Sequence, residues 1–200
     1  MAGIAVALGK QEMALLDGVD MVLVSPAVPV RIPLIQEAMR RGIEVLSEVE
    51  LAYCLAKEPI YAVTGTNGKT TTVTLLGLLM ETLYGREHTG VGGNIGIPLC
   101  EEVLRVGNHG CTVAEISSYQ MEASKEFHPQ IAAVLNVTPD HVVRHGSLEV
   151  YQQMKEKIFA QQTKKDYLVL NYDDVHTRSM AERAHSTVFF FSRQQVLQQG

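Results

Sequence analysis

Short apolar runs alternate with stretches of helical periodicity along the chain. That is the pattern of a mostly parallel sheet with helices packed on both faces. Residues 20–24 read as a buried strand ended by Ser25 and Pro26, and residues 33–41 as a helix stopped by Gly42. Ser47 and Glu50 stand at capping-box spacing, which predicts a helix over Glu48–Leu55. Pro59 then breaks the chain, and the stretch 56–59 reads as a boundary between two units. A second α/β series follows. It has a strand at Ile60–Thr64, a helix over 69–81, a strand-like stretch at 88–91, and strands at Cys111–Glu115 and 131–136. A helix over 148–160 carries Val150, Met154, Ile158 and Phe159 near helical spacing, and strands at Tyr167–Asn171 and Thr187–Phe191 close the series. The run Val188, Phe189, Phe190, Phe191 would be adhesive at an open sheet edge. Residues 194–200 read as a connection.

Composition narrows the class. The 200 residues give room for one large domain or two small ones. A hydrophobic share of 46% with 20% charged residues excludes a wholly disordered chain. No uncharged run approaches the roughly 20 apolar residues that a bilayer span needs, so no membrane association is expected. The first residues lack a basic segment ahead of their apolar stretch, so no signal peptide is expected. A net charge of −5 argues against a nucleic-acid partner held by bulk positive charge. Cys54, Cys100 and Cys111 show no metal-ligand spacing and read as reduced thiols of a cytoplasmic protein.

The strongest chemical signal follows the strand Ile60–Thr64. Gly65, Thr66, Asn67, Gly68, Lys69, Thr70 and Thr71 form a glycine-rich turn that leads into a helix. Such a turn lets the backbone approach a phosphate, while successive N–H groups and the helix N-terminus supply partial positive charge. Lys69 adds a full charge for the β- and γ-phosphates, and the Thr70 hydroxyl is placed to ligate Mg²⁺. The spacing is the shorter Gly-x-x-Gly-Lys-Thr rather than the full Walker pattern, because Val63 stands where the earlier glycine would be. The residues themselves do not choose between ATP and GTP.

Three downstream stretches are candidates to complete a site. Glu115 ends an apolar strand, and in open α/β sheets ligands sit at the carboxyl ends of strands. Glu115 is therefore either a Mg²⁺ ligand beside Thr70 or a solvated strand-end carboxylate. Asp140 and His141 follow another strand by a short loop, and His141 reads as a metal ligand, a general base or a surface histidine. Lys155 by itself reads as a solvated helix lysine. Gly92, Gly93, Asn94, Ile95 and Gly96 form a second glycine-rich loop, which is either a ligand-facing backbone or a plain turn.

Taken in order, the stretches 65–71, 92–96, 115–122 (Glu-Ile-Ser-Ser-Tyr-Gln-Met-Glu), 136–141 (Asn-Val-Thr-Pro-Asp-His), 144–146 and 155–159 resemble the Mur ligase family. Ser25-Pro26, Val28-Pro29 and residues 47–51 are similar to its amino-terminal domain. The stretch 115–122 most resembles the branch that joins D-glutamate to UDP-N-acetylmuramoyl-L-alanine, and it differs from folylpolyglutamate synthases. The resemblance implies an α/β fold: a phosphate-loop, mostly parallel sheet preceded by partial remains of a Rossmann-like domain. Residues 1–58 would be the back part of a UDP-binding domain and 59–200 an incomplete ATP-binding ligase domain, with the amino-acid-receiving domain absent.

The resemblance also implies roles. Lys69 would hold ATP phosphates, Thr70 and Glu115 one Mg²⁺, and His141 a second. Lys155 matches a lysine carbamylated by CO₂, which turns a repelling ammonium into a cation ligand. Asn94, Ser117 and His141 would face the muramoyl substrate. The implied activity is ATP-dependent amide-bond formation in peptidoglycan precursor synthesis through an acyl phosphate. The other reading is an ATP-binding module without turnover. Val143 stands where the family usually has an acid, and Ala27 where it usually has a glycine. A chain lacking its outer parts is expected to leave apolar surface uncovered and to self-associate.

Overall fold

A computed structural model describes residues 3–139 and 142–197. The first unit is a parallel strand pair, β1 (Met21–Val24) beside β2 (Glu44–Ser47), connected by α1 (Pro33–Arg40). Pro33 opens α1, where a missing N–H leaves no bond unmade. Ile35 and Ala38 turn inward against Val24 and Val45. The apolar pattern does not announce β2, because four residues that begin with an exposed glutamate show no alternation to read.

The helix α2 (Glu48–Leu55) starts at the predicted cap: the Ser47 Oγ accepts from Glu50 N at 3.2 Å. Only half of the capping box forms. Ser47 N donates to Ala123 O, and the Glu50 carboxylate accepts from the backbone N–H groups of Lys125, Glu126 and Phe127 at 3.0, 2.7 and 3.2 Å. Three loop amides outweigh one helix-end amide.

The second unit is a six-stranded parallel sheet. Its strands are β3 (Ile60–Thr64), β4 (Thr89–Gly93), β5 (Cys111–Glu115), β6 (Ile131–Val134), β7 (Tyr167–Asn171) and β8 (Thr187–Phe191), in the order β4-β5-β3-β6-β7-β8. Its helices are α3 (Lys69–Tyr84), α4 (Leu99–Val106), α5 (Val142–His145), α6 (Leu148–Glu156) and α7 (Val175–Met180). α3 continues past the predicted end at 81 to Tyr84, where Gly85 caps it. α6 is shorter than the predicted 148–160 and tightens into a 3-10 turn at Lys157–Phe159. The strand predicted to reach Asn136 ends at Val134. Leu135 N still donates to Thr64 O at 3.0 Å before the chain turns onto the loop after β3.

Travel across the sheet reverses once, from β3 back to β4. Right-handed crossovers therefore put α3 alone on one face and α4, α6 and α7 on the other. The packing shows the two faces. Ile60 and Ala62 join the main core with Leu99, Tyr151, Leu168 and Met180, whereas Val63 packs with Val73 and Val113 beneath α3. α3 covers only part of its face. Beside it lies an apolar cavity of about 600 Å³ lined by Tyr61, Met80, Ile131, Val169 and Phe191, and Leu75, Leu78, Leu79 and Leu83 point outward from the helix.

The two sheet edges differ. At β4, Val91 N donates to Glu102 Oε2 at 3.0 Å and Arg105 donates to Thr89 O at 2.6 Å, so side chains of α4 occupy the edge. β8, with its phenylalanine run, is the opposite edge strand. The units are also fastened to each other. Ser47 Oγ lies 3.0 Å from Ser124 Oγ, and Arg144 grips Glu122 with two bonds while donating to Pro26 O and Ala27 O. No helix among the described residues is long and apolar enough to cross a membrane.

Candidate active site

Because the sheet is parallel, the loops that follow β3, β4, β5 and β6 all open at one end. The loop after β3 turns at Gly68, whose φ of 84° is a left-handed conformation that opens α3 without strain. The first amides of α3 have no carbonyl one turn earlier to bond and remain available to an anion. Thr70 and Thr71 sit in that exposed first turn.

Lys69 folds over the loop, its Nζ donating to Gly65 O at 3.0 Å and Thr66 O at 2.9 Å. Lys155 arrives from α6 on the other side. It is 1% exposed, donates to the same Gly65 O at 2.8 Å and stands 4.3 Å from the Tyr151 ring centre. The solvated-lysine reading of Lys155 therefore fails: packing against β3 carries its ammonium into the interior, next to the loop. Two cationic side chains and a helix N-terminus surround one short turn, an arrangement suited to a multiply charged anion.

Glu115 is likewise buried, 1% exposed, which excludes the solvated alternative. It lies in register with Val63 on one side and Gly93 on the other. Its Oε2 accepts from Thr70 Oγ1 at 2.9 Å and its Oε1 from Asn94 Nδ2 at 2.8 Å. Asn94 N also donates to Glu115 O at 2.8 Å, which ties the second glycine-rich loop to the end of β5. Thr70, Glu115 and Asn94 thus form one hydrogen-bonded set across three strand ends.

Ser117 is turned into its own loop, where its N and Oγ both donate to Gln120 Oε1. Thr66 and Asn67 are held through their backbones by Asn136, and Thr66 Oγ1 also lies 3.3 Å from Tyr151 OH. His141 and Asp140 lie outside the described residues. Among the described residues no group of three His, Cys, Asp or Glu side chains could hold a metal ion.

Asn136 and His145 fall in stretches that carry the resemblance, 136–141 and 144–146, but no role was expected of them or of Tyr151. His145 Nε2 lies 3.0 Å from Ser118 Oγ, and its ring lies between those of Tyr119 and Tyr151. Apart from that resemblance, the sequence signal for Asn136 is a polar residue placed just after a buried strand. The cysteines take no part in the bonds described above. Burial, with the Glu48 carboxylate nearby, pushes the Cys100 thiol up to about 12, and burial pushes Cys111 up to about 11.

A model of the Mur ligase middle domain matches residues 63–199. The chain is 46% identical over 197 residues to the UDP-N-acetylmuramoylalanine–D-glutamate ligase of Caldanaerobacter subterraneus subsp. tengcongensis, covering 98% of this chain and 43% of that protein. It is 45% identical over 199 residues to the ligase of the same name from Pelotomaculum thermopropionicum, covering 100% of this chain and 43% of that protein. The chain thus spans less than half the length of these relatives. Among solved structures it is similar to the UDP-N-acetylmuramate:L-alanyl-gamma-D-glutamyl-meso-diaminopimelate ligase from Neisseria meningitides, with a TM-score of 0.62, 18% identity and coverage of 90% of this chain and 61% of that one. It is also similar to MurF from Acinetobacter baumannii, with a TM-score of 0.58, 21% identity and coverage of 74% and 34%. At these identities the structural likeness concerns the fold.

Proposed function

The chain belongs to the Mur ligase family, and on that premise we propose that it carries the nucleotide end of a peptidoglycan-precursor ligase. The reaction is ATP-dependent addition of D-glutamate to UDP-N-acetylmuramoyl-L-alanine. The observation that carries this reading is the buried Glu115 carboxylate bonded to Thr70 at the mouth of the loop 65–68. On this reading residues 1–58 are the back part of the UDP-binding domain and 59–200 belong to the ATP-binding domain.

The donor set fits Mg²⁺. A hydroxyl and a carboxylate are hard oxygen ligands, and the second oxygen of Glu115 is steadied by Asn94. Bound there, Mg²⁺ would neutralise charge on the phosphate oxygens. Lys69 would exchange its two loop carbonyls for β- and γ-phosphate oxygens, and the first amides of α3 would receive the remaining charge. The substrate's alanine carboxylate attacks the γ-phosphorus as the bond to the β-phosphate oxygen breaks, giving an acyl phosphate and ADP. The amine of D-glutamate then attacks the acyl carbon, the C–O bond to phosphate breaks, and the amine gives up a proton. Asn94, Ser117 and His141 face the muramoyl substrate in this scheme. A second Mg²⁺ would use His141 and Lys155, the latter after its neutral amine has added to CO₂ and lost a proton.

Binding without turnover is the second reading. Calorimetry of Mg-ATP against the chain tests both. Binding is expected, and Lys69→Ala should weaken it about tenfold or more. Unchanged affinity in that variant removes the phosphate-loop assignment. Phosphate release that depends on D-glutamate separates the ligase from the binding module.

A further inference from the structure

We infer that Asn136 is a positioning residue that sets the phosphate loop before any nucleotide arrives. This rests on the reading of the loop above. Asn136 stands two residues past the end of β6, the neighbour of β3, and its side chain and backbone together bond the N–H of Thr66 and both backbone groups of Asn67. Thr66 N donates to both Asn136 O and Asn136 Oδ1, each at 3.0 Å. Asn67 N donates to Asn136 Oδ1 at 2.8 Å, and Asn136 Nδ2 returns a bond to Asn67 O at 3.0 Å. The orientation of the carboxamide is unambiguous, because its oxygen faces two N–H groups and its nitrogen faces a carbonyl.

The clamp is itself held on both sides. The carbonyl of Leu135 accepts from Asn171 Nδ2 at 3.0 Å, and Val137 N donates to Asp174 Oδ2 at 2.8 Å. Contact with this segment is close. A side-chain carbon on Gly65, where φ is 153°, would come within 3.0 Å of Leu135 Cβ. The loop is therefore pressed against the chain that leaves β6 and bonded to it through the side chain and carbonyl of Asn136 and through Thr138.

Two consequences follow. The amides of Thr66 and Asn67 point at Asn136 and not at a phosphate, so the anion is received by the amides that begin α3. The loop's ordering cost is also met before binding, which is what a preorganised anion site requires. Only a carboxamide of this length gives and takes at once. Aspartate accepts but cannot donate to Asn67 O, and it adds a negative charge beside the phosphates.

The test uses the full chain without nucleotide, then with Mg-ATP. In the wild type, hydrogen exchange at the Thr66 and Asn67 amides should be slow. In Asn136→Ala it should rise at Asn67, whose acceptor is the lost carboxamide, while Thr66, which keeps the residue 136 carbonyl, and the amides of β3 and β5 stay protected, and the Kd for Mg-ATP should rise about tenfold. In Asn136→Asp the two amides should stay protected, yet affinity should fall further than in the alanine variant. The inference is overturned if exchange in Asn136→Ala is unchanged, or if exchange rises with no change in Kd. Should Asn136→Ala not fold, Asn136→Asp decides, and wild-type affinity there overturns the inference. A wild-type chain that binds no Mg-ATP is a separate result and counts against the nucleotide reading itself.

Discussion

Replacing Glu115 separates its part in the fold from its part in binding. In Glu115→Gln the side-chain shape is kept. The amide oxygen can take the Asn94 Nδ2 bond, and the amide nitrogen can donate to Thr70 Oγ1, whose hydroxyl turns to accept. Two bonds to a charged group become two neutral ones, a loss of about 1 kcal/mol each. Removing a buried carboxylate returns a desolvation cost of similar order. The net change is expected within about 1 kcal/mol, or roughly 2–4 °C in Tm for a chain of this length. Glu115→Ala instead removes both bonds, but Thr70 and Asn94 are exposed residues whose freed groups can turn to water, so the cost is about 1 kcal/mol for each lost bond. The assay is calorimetry of ATP with Mg²⁺ and with EDTA. In the wild type Mg²⁺ should strengthen ATP binding. In Glu115→Gln that gain should be lost, while metal-free ATP binds at least as well because a negative charge near the phosphates has gone. A Glu115→Gln chain that keeps the full Mg²⁺ effect would refute the reasoning.

Two further outcomes are expected. Burial opposes ionisation of Asp166, but the bonds from His128 and from Thr163 outweigh it and hold its carboxyl below the usual aspartate value of 3.8. Its stabilisation is therefore complete above about pH 4 and is lost as pH falls through the lower folded value. Asp166→Asn should flatten that acid limb in thermal melts taken from pH 5 down to about pH 2, and an unchanged limb counts against the pairing. Leu75, Leu78, Leu79 and Leu83 on α3, beside the apolar cavity, should make the chain's mass rise with concentration in light scattering. Leu79→Lys should lower that rise, and a monodisperse wild-type monomer would contradict it.

Much of the sheet was legible because buried parallel strands are short apolar runs, and β3, β5, β7 and β8 begin and end where those runs do. Elements that lean on neighbours were not legible. α4 shows its inward residues, Leu99, Val103 and Val106, over only two turns, and α7 buries little besides Thr177 and Met180 and owes its start to the Asp174 cap. Glycine spacing and a strand-end position pointed to Lys69, Thr70 and Glu115, since local chain geometry decides where those groups lie. Lys155 and Asn136 were not legible on residue type. A lysine on a helix is usually solvated, and an asparagine after a strand usually serves a turn. Only the packing of α6 and β6 against β3 gives them another place.

The fastening between the two units bears on how the protein can be dissected. Proline and a change of element make 56–59 an inviting cut site, yet a piece starting at Ile60 would leave the amides of Lys125, Glu126 and Phe127 without the Glu50 carboxylate. It would also strip Arg144 of two carbonyl acceptors and uncover the part of the main core that Val49 and Ala52 fill. α2 thus serves as a plug for the larger sheet, and the end that carries the glycine-rich loop is best handled with the first fifty-odd residues still attached.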